Sequence, residues 1–179
     1  MNAIFAAYTR QTDRLASFDG LLPTLARLIF GGVLAGYFWA SALTKFDGFP
    51  FGLSTGAFAQ IYPRQIEALG YDASQIGTIA YLVVLAGSYA ELILPALIVL
   101  GLFTRPAALG MIGFILVQSL TDIQGHMVGP EGLGAWFDRI ADAPILDQRA
   151  LWVMLLLILV LKGAGPLSLD RLTRQWVSG

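Results

Sequence analysis

Twenty-seven consecutive residues, 77–103, contain one charged side chain, Glu91. A helix that crosses a bilayer needs about 20 mostly apolar residues, each adding about 1.5 Å across a hydrocarbon core about 30 Å thick. This run meets the requirement in full. Three other runs approach it, at residues 24–44, 106–121 and 150–161. The last two are short and extend into their flanks, the third towards residues 122–126 and the fourth back towards Ile145. A short apolar run taken alone also suits a buried helix of a soluble core. Composition decides against that: 56% of the residues are hydrophobic and 13% charged, where a soluble domain carries about 25% charged. The expected fold is therefore all-α, an integral membrane four-helix bundle with long outer loops. Its expected boundaries are an interfacial segment at 1–20, the four-helix domain at 21–172 and a tail at 173–179.

Four spans place both termini on one face. That face carries Arg10, Arg14, Arg27, Arg105, Lys162, Arg171 and Arg174; the other carries Lys45, Arg64, Arg139 and Arg149. Seven against four puts the termini in the cytoplasm, because basic flanks stay on that side. Residues 3–18 mix apolar side chains with Arg10, Asp13 and Arg14, the pattern of a helix lying among the headgroups or of a frayed end. Ala40-Ser41-Ala42 imitates a leader-cleavage site, but the stretch before the apolar run is too long for a usual leader, so a retained span is expected.

Net charge is −1, which excludes a broadly basic nucleic-acid surface. There is no cysteine and a single histidine. Iron–sulfur ligation, a cysteine zinc site, a multi-histidine metal centre and bis-histidine haem are all excluded within the chain. No metal site and no covalently held cofactor are expected.

The connections differ sharply. Residues 102–105 make a tight turn between Gly101 and Pro106, which forces spans two and three to be antiparallel neighbours. The outer loops, 46–76 and 127–148, are long and aromatic, with Phe49, Phe51, Phe58, Tyr62, Trp136 and Phe137. They read as interfacial anchors, or as a lid or docking face over the bundle.

Glu91 is the most constrained residue. A carboxylate in the middle of a span costs about 2.5–3.5 kcal/mol on insertion scales, so it must face the interior, be neutral, or pair. Pro95 cannot donate to the Glu91 carbonyl, so a titratable side chain and a freed backbone acceptor fall at one point. Ser88 and Tyr81 share roughly its face. Arg27 is the partner to test: counted by helical rise, it sits about 7 Å above the cytoplasmic end and Glu91 about 16 Å above it. The alternative is that Arg27 reaches back to the headgroups. At the outer end, Gln118, Asp122 and His126 recur every four residues, near Ser41, Thr44 and Lys45. An aspartate one turn before a histidine can orient its ring. With Glu91 these groups form a polar cavity suited to proton exchange or a quinone headgroup, or simply a helix end wetted by interfacial water. Gly32, Gly36 and Ala40 make a small-residue stripe for helix contact, within or between chains.

Certain residues form a pattern. Arg27 is followed by Gly32, Gly36, the aromatic group Tyr37, Phe38, Trp39, and then Lys45. Ala90-Glu91-Leu92 precedes Pro95, and Gly101-Leu102-Phe103-Thr104-Arg105-Pro106 follows. The last span ends in Gly163 to Asp170. In these features the chain resembles the DoxX family of small bacterial four-helix membrane proteins, relatives of the DoxD component of thiosulfate:quinone oxidoreductase. The resemblance implies the bacterial inner membrane and association with membrane redox systems; Glu91 and Arg105 match recurring family positions. The expected function is a redox-associated membrane subunit that binds quinone or relays protons for a partner oxidoreductase. Glu91, His126 and Asp122 would be the proton-handling residues, with Tyr37, Trp39, Lys45, Ser88 and Gln118 around the quinone. Besides lipid, the expected partners are a protein of a larger membrane complex or further copies of the chain. The alternative is a non-catalytic scaffold or assembly factor. A transporter is disfavoured, because inverted halves are not visible.

Overall fold

A computed structural model describes residues 2–16 and 18–178. Ser17, inside the expected interfacial segment, and Gly179, in the expected tail, lie outside the described residues.

Four helical segments are long and apolar enough to cross a membrane: Asp19–Thr44, Thr78–Leu100, Thr104–Gln124 and Pro144–Lys162. The first is composite. It begins with a 3-10 turn, Asp19–Leu21, continues as α2 (Leu22–Phe30), widens into a π turn at Gly31–Ala35, and ends as α3 (Gly36–Thr44). Span two is α6 (Thr78–Leu100), span three is α7 (Thr104–Gln124), and span four is a π turn, Pro144–Gln148, leading into α9 (Arg149–Lys162). Short helices occupy the outer loops: α4 (Thr55–Ile61), α5 (Pro63–Ala68) and α8 (Pro130–Leu133). On the terminal face lie α1 (Asn2–Ala16) and α10 (Leu169–Ser178), the latter continuing across the boundary expected at 172. Among the described residues there is no strand, only a single bridge between Phe46 and Leu53.

Span one packs against spans two and four, and span three closes the ring between the same two. Their shared core is Phe30, Leu34, Phe38, Ile98, Met111, Ile115, Leu156 and Leu159. Phe38 stands at its centre, with Tyr37, Phe114 and Trp152 rings 5.0–6.1 Å away. A second, smaller core forms beneath the first outer loop, where Phe58 and Ile66 pack on Val84.

The tight turn is held by backbone and side chain together. The Leu102 N–H donates to the Leu97 carbonyl (3.0 Å) and the Gly101 N–H to that of Ile98 (3.1 Å), the paired bonds that close a helix on a left-handed residue. Gly101 has φ +69°, and a Cβ there would stand 2.7 Å from the Arg27 guanidinium carbon, so only glycine fits. Asp170 accepts from the N–H groups of Phe103 (2.7 Å) and Thr104 (3.0 Å), fastening the start of α10 to the start of α7.

The small-residue stripe is not a contact within the bundle. Gly32, Gly36 and Ala40 are all exposed on the outside of span one, and a Cβ at either glycine would meet nothing within 4 Å. The side of span one that packs inward carries Phe30, Leu34 and Phe38 instead.

Candidate functional site: a cavity beside a buried ion pair

The buried residues of α6 recur at three and four: Val84, Ser88, Glu91, Pro95, Ile98. Glu91 belongs to the stripe that faces the neighbouring helices, so its side chain is carried into the bundle. On span one the inward row Phe30, Leu34, Phe38, Ala42 ends at Lys45, one turn beyond Ala42. The two rows meet at the outer half of the bundle. Lys45 and Glu91, 4% and 2% exposed, form a direct ion pair, and Lys45 Nζ also donates to Ser41 Oγ at 2.8 Å.

Arg27 does not reach Glu91. Its guanidinium donates to four carbonyls: Ile98 (3.0 Å) and Val99 (2.6 Å) at the end of α6, and Ala164 (2.9 Å) and Leu167 (2.5 Å) in the turn after α9. The last carbonyls of a helix lack partners within it and carry its negative dipole end, so a planar cation with five donors is well matched there. Arg27 is also 9% exposed, so it does not reach back to the headgroups.

A cavity of about 520 Å³ lies against the ion pair, between spans one, two and three. Tyr37, Lys45, Glu91, Gln118, Asp122 and His126 all line it. Two residues expected here do not. Trp39 donates its indole N–H to the Leu92 carbonyl (3.1 Å), beside the Pro95 position, and Ser88 donates to Val84 of its own helix (2.7 Å). Both are spent on backbone acceptors and reinforce the wall of the bundle.

The outer-end residues are brought together, but not in the way their spacing implies. Helix α7 ends at Gln124, so His126 lies beyond it. Its Nε2 is 3.0 Å from the Gln60 carbonyl. A carbonyl only accepts, so that nitrogen carries the proton and the ring is anchored by the outer loop. Asp122 does not orient it; the carboxylate pairs instead with Arg149 at 2.5 Å. Arg149 is 7% exposed and also donates to Ser119 Oγ (2.9 Å), linking spans three and four. In the sequence it reads as an ordinary outer-loop cation and not as a site residue. The usable signal was its place at the first turn of an apolar span, where burial requires an acid.

The first outer loop caps the cavity, with Gln60 and Ile61 of α4 in its lining. Gln118 Nε2 donates to the Tyr37 hydroxyl (3.1 Å), while its Oε1 is buried without a partner among the described residues. On the side between spans two and three the lining is small: Ala86, Gly87 and Ala90 face Gly110 and Gly113. Ala86, Gly110 and Gly113 are exposed on the outer surface of the bundle, as are their neighbours Val83 and Val117. The cavity thus opens sideways, at a depth where the surrounding medium is hydrocarbon.

Among the described residues no three histidine or acidic side chains assemble as metal ligands. The sequence matches the DoxX family model over residues 22–122, more than half of the chain. The chain belongs to the DoxX family. The match takes in nearly all of spans one to three, with Arg27, Glu91, Arg105 and the cavity lining from Tyr37 to Asp122; His126 lies beyond it. No curated protein and no solved structure matches this DoxX chain.

Proposed function

We propose that this DoxX protein binds a membrane quinone in the cavity beside Lys45 and Glu91, and hands protons to it on behalf of a partner oxidoreductase. We place both termini on the cytoplasmic face of a bacterial inner membrane, as the basic flanks favour. The observation that carries the reading is a cavity open to hydrocarbon on one side with a buried ammonium–carboxylate pair on the other. Apolar walls with a few convergent polar groups are the usual make-up of a small-molecule site, and 520 Å³ lies in the usual size range. A quinone, when bound, supplies a couple that takes up two electrons and two protons. Without cysteine and with one histidine, the chain cannot ligate an iron–sulfur cluster or a bis-histidine haem, so we assign the electrons to the partner.

The chain's own residues do the rest. Lys45 presents an N–H donor suited to a carbonyl oxygen, and Gln118 Oε1 is an acceptor still in need of a hydroxyl. Glu91 holds Lys45 in place through the ion pair and is the group that passes a proton on. Asp122 and His126, at the outer end of the same cavity, connect it to water.

Isothermal titration of the detergent-purified chain with a short-tailed benzoquinone tests this. Leucine at Gly113 fills the mouth, and because a Cβ there meets nothing within 4 Å the fold is retained. Gly113→Leu is expected to abolish binding, and Glu91→Gln to weaken it about tenfold, the effect of losing one charged hydrogen bond. Unchanged affinity in both variants refutes the site. Unchanged affinity and pH dependence in Glu91→Gln alone removes Glu91 from it.

The outward-facing stripe of Gly32, Gly36 and Ala40 favours a second reading, a scaffold that docks on another membrane helix. A stoichiometric partner that co-purifies with the wild type, is lost on Gly36→Leu and is kept on Glu91→Gln would establish it.

A further inference from the structure

A second cavity, of about 710 Å³, lies on the terminal face of the bundle, where the ends of spans two and four meet the starts of spans one and three. Its charged lining is Arg105, Lys162, Arg171 and Arg174 against Asp19 and Asp170. Both acids are already engaged. Asp19 pairs with Lys162 at 2.5 Å, and the two oxygens of Asp170 accept from the Phe103 and Thr104 N–H groups. The Arg105 and Arg171 guanidinium groups, in contrast, make no hydrogen bond or ion pair among the described residues, and both residues are exposed. Arg105 lies over the backbone of Gly163, whose φ of +83° and missing side chain leave the passage open; a Cβ there would stand 3.4 Å from Arg105 Nε. The cavity therefore presents unspent planar donors and a positive field, the chemistry that recognises a phosphoryl anion.

The surroundings fix the source of that anion. Phe103, part of the lining, is 65% exposed, and the nearby Leu167 is 74% exposed. Helix α10 carries Leu169, Leu172 and Trp176 in one exposed row, while Arg171 and Arg174 face the cavity. A short helix with an apolar row, a tryptophan and a basic side lies in the headgroup layer, not in bulk water. Cations beside exposed apolar side chains at that depth match an amphiphile with a charged head.

We propose that this cavity is a binding site for the phosphate of an anionic membrane lipid. It is separate from the quinone site, lying at the opposite end of the bundle. Native mass spectrometry of the full chain in a neutral detergent tests it, with dioleoyl phosphatidylglycerol, dioleoyl phosphatidylcholine and inorganic phosphate as probes. Phosphatidylglycerol is expected to bind at least about tenfold more tightly than phosphatidylcholine, since two or more cations each contribute about fivefold. Arg105→Gln and Arg171→Gln are each expected to weaken it about fivefold, while Arg139→Gln, in the second outer loop, leaves it unchanged. Arg105 and Arg171 are both exposed, so failure of one variant to fold leaves the other as the measure. Equal retention of the two lipids overturns the proposal, as does an equal loss in Arg139→Gln. Inorganic phosphate that displaces phosphatidylglycerol at equal concentration assigns the cavity to a soluble ligand and overturns the lipid source.

Discussion

Glu91→Ala is expected to destabilise the bundle by about 3–5 kcal/mol, the usual cost of leaving one partner of a buried pair uncompensated. The Lys45 ammonium would keep only the Ser41 hydroxyl as a partner, at 4% exposure. Removing both charges is a different experiment. Lys45→Met with Glu91→Leu replaces the pair by apolar groups of similar volume, and such replacements are often neutral or stabilising. The double variant is expected to unfold close to the wild type, within about 1–2 kcal/mol, and to fail to bind the quinone analogue. Denaturant unfolding in detergent, followed by far-ultraviolet circular dichroism, measures the first effect and titration the second. This contrast separates the two roles of the pair. If the double variant were stable and still bound quinone with wild-type affinity, the pair would be a packing element alone. A wild-type midpoint for Glu91→Ala would show that the bundle does not depend on the pair.

Arg27→Leu is the second large effect. Four carbonyls, of Ile98, Val99, Ala164 and Leu167, lose their charged donor together. Ile98 keeps the Gly101 N–H, and each buried acceptor that is left without a partner costs about 1–3 kcal/mol. Losses at one site do not add fully, so about 3–5 kcal/mol is expected in total. The opposing gain, from taking a cation out of a span, reaches about 2.5–3.5 kcal/mol only at the bilayer centre. Arg27 lies near the end of its span, where that gain is smaller, so destabilisation wins. Arg27→Lys is expected to recover less than half of the loss, because one ammonium cannot serve acceptors spread over two turns as a planar fork does. Hydrogen exchange should show the effect concentrated at the Gly101 and Leu102 amides, whose turn the guanidinium braces. Protection there equal to the wild type would refute the bracing role.

Those two residues also show how far single-chain reasoning reaches. Helical rise offers Arg27 as a candidate partner for Glu91, yet Arg27 binds four carbonyls and Lys45 takes the carboxylate. Rise per residue says nothing about rotation of one helix against another. Lys45 reads in the sequence as part of the outer polar group and not as the partner of Glu91, because it stands where the apolar run ends, in the position of a flanking charge. Its spacing of three from Ala42 and seven from Phe38 puts it on the inward row, which becomes visible only once the row is known to face inward. His126 and Asp122 illustrate the same limit. Regular spacing implied a shared helical face, but Gly125 sits beyond the last helical residue, so the histidine is steered by the first outer loop instead. The small-residue stripe, suited to contact within or between chains, points outward because the bulky row of Phe30, Leu34 and Phe38 occupies the core.

What the chain alone determined was its solvent. Runs of apolar residues too long and too poor in charge for water required lipid, and lipid required helices whose backbone is satisfied internally and a Glu91 that faces inward, is neutral or pairs; the short connection from Gly101 to Pro106 made spans two and three antiparallel neighbours. Which cation met that carboxylate, where a void was left between the spans, and which arginines stayed unspent were decided only when the helices packed. Those outcomes depend on the relative rotation and axial stagger of neighbouring spans, and rotation and stagger are set by how side chains from different helices interlock, a property no single stretch of sequence carries.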